Sequence, residues 1–138
     1  MRLSIAALLA AIVLRAAADT AVIVNSGSTN RAGFRIEVER SGQADYTSTP
    51  RRGQAAEQVR RKVPDALIQR FYADLEAAQP LSALQAEHCA KSVSFGTTTI
   101  VELGSERTPD ISCPNARNPN TKALMRDVDE IVQLFRSD

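Results

Sequence analysis

The chain is poor in the residue types on which most enzyme chemistry relies. Of its 138 residues one is histidine (His88) and two are cysteine (Cys89 and Cys113). A single histidine beside two cysteines matches no closed zinc pattern, and no metal or cofactor is expected. The G-x-S-x-G elbow and the S-x-x-K pair are both missing, which excludes the serine hydrolases that depend on them. Charge of either sign is not in excess: 17 Lys and Arg stand against 16 Asp and Glu. A nucleic-acid-binding domain would carry a clear basic surplus, so that class is excluded too. No internal repeat or low-complexity tract is present, and beyond the first residues no run is apolar enough to cross a bilayer.

Those first residues set the expected compartment. Met1-Arg2 is a basic start, residues 3–14 are apolar and uncharged, and Ala16-Ala17-Ala18 offers the small residues that signal peptidase needs. Cleavage before Asp19 is predicted, with residues 1–18 a leader and residues 19–138 one domain. The apolar run is shorter than the about 20 residues a membrane span requires, and no cysteine adjoins the cleavage site to accept a lipid. With Arg2 and Arg15 gone, 15 basic residues face 16 acidic ones. The expected location is secreted or periplasmic, without membrane insertion after the leader is removed.

Two periodicities organise the remainder. After a short β-prone run at residues 21–24 and a turn-rich stretch at 25–30, Phe34, Ile36 and Val38 alternate with Arg35, Glu37 and Glu39. Period two describes a strand with one buried and one wet face. A turn at Ser41-Gly42 and a return strand through Tyr46 complete an antiparallel meander. From Pro64 the period becomes helical: Leu67, Phe71, Leu75 and Ala78 form a stripe that Ile68 and Tyr72 widen, and Pro80 marks its end. A second helix follows Asn118-Pro119, with Leu124, Val128, Ile131 and Phe135 inward. Asp127, Asp129, Glu130 and Gln133 are expected on its solvated side. The fold class is therefore α+β, an antiparallel sheet of about five strands with two helices packed on one face.

Residues 89–114, CAKSVSFGTTTIVELGSERTPDISCP, form the structural centre. Strands are predicted over residues 93–103 and 108–112, with Gly104-Ser105 as a hairpin turn pairing Leu103 with Glu106, Val101 with Thr108 and Thr99 with Asp110. In an oxidising compartment Cys89 and Cys113 are expected to pair, a bridge contributing about 3 kcal/mol. Geometry opposes a simple version of this. The predicted register sets Cys113 beside Gly96, with Cys89 about 23 Å further along a straight strand, whereas a disulfide needs Cα atoms within about 7 Å. Either the chain before Gly96 folds back irregularly or the cysteines do not pair with each other.

The segments Lys91-Ser92-x-Ser94-Phe95-Gly96-Thr97-x-Thr99 and Thr108-Pro109-Asp110-Ile111-Ser112-Cys113-Pro114 resemble the signature of a group of small secreted bacterial proteins of uncharacterised activity. With Cys89 and both helices, the resemblance takes in about two thirds of the chain after the leader. It implies a bacterial exported domain and carries no functional residues.

Several clusters invite chemistry and have simpler explanations. His88 and Cys89 are neighbours, but adjacent side chains on an extended chain point to opposite sides. Glu37 with Glu39 share the polar face of a strand. Arg51, Arg52, Arg60, Arg61 and Lys62 form a basic stretch suited to an acidic partner or membrane headgroups, or to an edge strand on which positive charge discourages pairing. Asp110 is expected to fix the local turn by accepting hydrogen bonds from backbone or from the Thr97 and Thr99 hydroxyls. The expected function is an exported, non-catalytic interaction or accessory domain for a protein or envelope component. The alternatives are a small hydrolase or thiol enzyme using His88, and an enzyme inhibitor presenting the loop at residues 25–33.

Overall fold

The computed structural model describes residues 19–136. The expected leader and the last two residues lie outside the described residues. Strands β1 (Thr20–Asn25), β2 (Phe34–Glu39), β3 (Gln43–Ser48) and β4 (Gln58–Lys62) precede helix α1 (Asp65–Ala77). A single 3-10 turn (Leu81–Ala83) leads on to β5 (Thr99–Leu103), β6 (Glu106–Arg107) and helix α2 (Pro119–Gln133). The sheet is antiparallel throughout, in the order β4-β3-β2-β1-β5-β6. It has six strands where about five were expected. The added one is β4, an edge strand lying in the basic stretch.

Alternation decides which face is buried. Ala21 and Ile23, Phe34, Ile36 and Val38, Ala44, and Val101 and Leu103 all turn to the helices. The register sets Ile23 opposite both Ile36 and Val101, so these side chains form one apolar layer. Onto it α1 lays Leu67, Ile68, Phe71, Tyr72 and Leu75, and α2 lays Leu124, Val128, Ile131 and Val132. Each such side chain contributes about 1.5–3 kcal/mol on burial. The predicted helical stripes therefore hold, except that Phe135 is only half-buried. Asn118 caps α2 through its side-chain oxygen, which accepts from Asn120 N at 2.9 Å and Thr121 N at 3.4 Å.

Three expectations are corrected. Asp127, predicted on the solvated side of α2, is wholly buried at the seam with α1. There Arg70 Nε donates to its Oδ1 at 2.6 Å and Arg126 Nε at 3.2 Å. The strand predicted from residue 93 begins only at Thr99. The strand predicted over 108–112 is not formed and β6 is instead Glu106–Arg107, although the pair of Leu103 with Glu106 is the predicted one. Pro109 has no N–H to extend the ladder. Before it Thr108 still faces Val101 as predicted, Val101 N donating to the Thr108 hydroxyl at 3.0 Å, and beyond it Ile111 N reaches Thr99 O at 2.9 Å, one residue out of the predicted register.

The disulfide question is settled by an irregular fold-back. Cys89 and Cys113 are bonded, with Cα atoms 5.7 Å apart. The chain turns at Ser92–Gly96, where Gly96 N donates to Ser92 O at 2.7 Å. A Cβ on Gly96 would collide with that carbonyl and with Lys91, so this tight reversal requires glycine.

Candidate functional site

At one end of the sheet lie the finish of β1, the starts of β2 and β5, the finish of β3 and the start of β4. The loops at residues 26–33, 49–57 and 91–98 therefore meet there, beside the C-terminal end of α2. Between them is a cleft of about 430 Å³ lined by Asn25, Arg31, Ala32, Phe34, Tyr46, Thr97, Val132, Phe135 and Arg136. Its apolar wall is a stack of three rings: Phe34 and Tyr46 are 5.4 Å apart between centroids, and Tyr46 and Phe135 are 5.3 Å apart. A smaller hollow of about 140 Å³ continues it toward Thr99, Ser112, Asp129 and Gln133.

The opposite wall is polar and held in place. Asn25 Nδ2 donates to the hydroxyls of Thr97 (3.0 Å) and Thr99 (3.1 Å), while its Oδ1 accepts from Gly27 N at 2.9 Å. Behind this row stands a knot made from both halves of the 91–99 and 108–114 motif. Lys91 Nζ donates to Thr97 O and to Ser112 Oγ, both at 2.7 Å, and to the Asp110 carboxylate. Asp110 Oδ1 accepts from Thr99 N (2.9 Å), Ser112 N (3.0 Å) and Ser112 Oγ (2.6 Å). Asp110 thus fixes the turn as expected, by way of backbone, Ser112 and Lys91. The threonine hydroxyls instead accept from Asn25.

Electrostatics separate the two walls. Burial raises the Tyr46 hydroxyl pKa and Glu57 adds to the rise, while Arg136 opposes it. Desolvation beside the smaller hollow likewise raises the Asp129 carboxyl, again with Arg136 pulling down. Arg136 therefore acts on both Tyr46 of the aromatic stack and Asp129 of the smaller hollow. Arg31 contributes a second guanidinium to the lining. The cleft joins an apolar wall to two permanent cations and an amide-hydroxyl row, a setting for a ligand that is both apolar and anionic.

The residues singled out from sequence are placed elsewhere. Cys89 and Cys113 are the disulfide, so neither thiol is free. His88 is exposed, in an open recess with Gln85, Ala86, Glu87, Arg117 and Asn118. Backbone bonds from Asn118 N (3.1 Å) and Arg117 N (2.7 Å) occupy Glu87 and lower its pKa. The basic stretch is divided. Arg51 and Arg52 sit in the loop before β4. Arg60 grips Asp45 across the edge pair at 2.6 and 3.2 Å. Lys62 donates to Ser41 O and lies 3.7 Å from Asp65, at the far end of β4, and Arg61 Nη1 bonds Arg60 O at 3.4 Å. The loop at 25–33 is a packed connection: Ser26 N donates to Thr98 O and Asn30 N to Ser94 O, both at 3.0 Å.

Sequence reasoning took in Asn25 and Arg31 only as part of the 25–33 loop, without a role for either side chain, and missed Arg136. Arg31 and Asn25 stand among turn residues, where no periodicity assigns a direction. Arg136 directly follows the last inward residue of the α2 stripe, which was the one available signal. No protein-family model matches the chain, and no curated protein has a significantly similar sequence.

Proposed function

We propose that the protein is an exported, non-catalytic interaction domain whose cleft receives an anionic, partly apolar group of its partner. The observation that carries this reading is the convergence of Arg31 and Arg136 on the Phe34–Tyr46–Phe135 stack. Two guanidinium groups offer bidentate recognition of a carboxylate or phosphate, and the rings supply apolar area without a large loss of side-chain freedom. Export is supported by the basic-apolar-alanine start, by the disulfide and by the resemblance to small secreted bacterial proteins. Among the described residues no helix is long and apolar enough to cross a membrane. Against the thiol alternative, Cys89 is bonded; against the inhibitor alternative, the 25–33 loop is tied down rather than protruding.

The test uses Nα-acetylphenylalanine, which carries a ring and a free carboxylate, against its carboxamide. Titration followed by backbone amide NMR is expected to shift residues around Arg31, Tyr46 and Phe135 with the acid only. Arg136→Gln should weaken the effect about tenfold, as loss of one charged hydrogen bond implies. Equal response to acid and amide, or shifts confined to the His88 recess, would overturn the reading. The mass of the exported chain, expected to begin at Asp19 and to resist alkylation before reduction, tests the export half separately.

A further inference from the structure

We infer that the loop end of the domain docks on the surface of an anionic lipid bilayer, with Val93 and Phe95 entering the headgroup layer. These are the exposed large hydrophobic residues among the described residues, 91% and 56% accessible. Single exposed apolar side chains are ordinary. Here the two flank Ser94 at the apex of one turn, and that turn is held from several sides.

Ser94 O accepts from Asn30 N at 3.0 Å and from Ser28 Oγ at 2.8 Å. Ser92 Oγ accepts from Phe95 N at 3.3 Å. Lys91 and the disulfide clamp the base of the turn. The exposure is therefore built into the fold and is not a frayed end.

Charge points to the occupant. The loops at 26–33, 49–57 and 91–98 contain Arg31, Arg51, Arg52 and Lys91 against one acid, Glu57, in a chain whose overall charge is near zero. Arg51 Nη2 donates to Ser28 O at 3.2 Å and Thr29 O at 3.4 Å, which ties the arginine loop to the one that carries the turn. Lys91 is engaged by Asp110, which leaves three arginines on the loops that meet at this end of the sheet. An apolar apex on a loop end that carries more basic than acidic residues matches the layering of an anionic membrane, acyl chains beneath phosphates. This goes beyond the cleft reading and requires no spanning segment.

Co-sedimentation of the exported, disulfide-bonded protein with vesicles is the test. Vesicles of phosphatidylcholine containing phosphatidylglycerol should bind it at low salt, and pure phosphatidylcholine should not. Arg51→Gln with Arg52→Gln should lower partitioning about 30-fold, since each arginine near an anionic surface is worth about a factor of five. Val93→Ser with Phe95→Ser should lower it about tenfold or more. With the unaltered protein, a spin-labelled lipid should broaden the amide signals of residues 92–96 ahead of those in α1, which keeps the test independent of how the variants fold. Equal binding to both vesicle types, no binding to either while a soluble protein engages the same loops, or broadening that spares residues 92–96 would overturn the inference.

Discussion

Arg70 Nε lies 2.6 Å from Asp127 Oδ1, in an ion pair whose carboxylate has no solvent exposure while the arginine side chain keeps 38% of its own. The pair joins α1 to α2 and belongs to a cluster. Arg70 Nη2 is 2.7 Å from Glu130, and Arg126 Nη2 is 3.1 Å from Asp74. Among the described residues no donor reaches Asp127 Oδ2. Burial first, then the neighbouring Asp74 carboxylate, raise the Asp127 pKa, with Arg70 and Arg126 opposing.

The two partners should respond unequally to removal. Asp127→Asn keeps the shape and an acceptor and leaves the arginines able to reach water, so a loss of about 1 kcal/mol is expected. Arg70→Ala strands a buried carboxylate and should cost several times as much. Urea denaturation of both variants checks the order. Equal losses would mean that water reaches Asp127 once Arg70 is gone.

The pH dependence of stability should carry two opposed contributions. Asp127, with a native pKa above its ordinary value of 3.8, contributes stability that is present below 3.8 and lost as pH rises through the native pKa. For Asp110, burial pushes upward, but bonds from Lys91, Ser112 and Thr99 N outweigh it and hold the native pKa below 3.8. Its contribution is present above 3.8 and lost as pH falls through the native value. Asp110→Asn should therefore flatten the acid limb of a stability profile, and Asp127→Asn should remove the loss on going from acid to neutral pH. Thermal denaturation across that range reads both.

Replacing both cysteines by alanine releases a bridge between residues 24 apart in sequence, with an expected loss of about 3 kcal/mol. Lys91→Met removes the cation from the same knot and, with its head group partly exposed, should cost about 1–2 kcal/mol. Hydrogen exchange is expected to speed up over residues 89–98 in both variants while α1 and the β1–β2 pair stay protected. Uniform acceleration over the whole chain would show that the knot belongs to the global folding unit.

Tyr72 anchors α1 to the sheet: its hydroxyl lies 2.5 Å from Val38 O, which it can donate to, and accepts from Ala21 N at 3.0 Å. Arg40 lies over the ring, 4.2 Å from its centroid. Tyr72→Phe leaves a buried N–H and a carbonyl without that partner and should cost about 1–3 kcal/mol. A loss below a few tenths of a kcal/mol would mean that the strand ends relax to find other partners.

How much could be read in advance differs between elements. Phe34, Ile36 and Val38 announced β2 because alternation is a property of the chain itself, and Leu67, Phe71 and Leu75 announced α1 for the same reason. Asp127 was misplaced because helical period says which residues share a face. It does not say how wide the contact stripe becomes once a second helix brings Arg70 alongside. The clefts and loops lie further still from local pattern. Asn25 is the last residue of β1 where the turn-rich stretch begins, Arg31 belongs to a turn, and Val93 lies in a reversal, held by Ser28 and Asn30 against Ser94, that local pattern gives as strand.

The sequence by itself determined the two helices, the alternating strands, the hairpin at Gly104 and the presence of two cysteines with oxidising export as their expected setting. These rest on interactions between residues close along the chain. The tertiary structure alone decided by what path Cys89 reaches Cys113, that Lys91 ties Thr97 to Ser112, that Asp127 is buried, and that Arg31 and Arg136 share one cleft with three stacked rings. Each of these depends on how segments far apart in sequence come together, and one irregular turn at Ser92–Gly96 redirects a strand's worth of side chains.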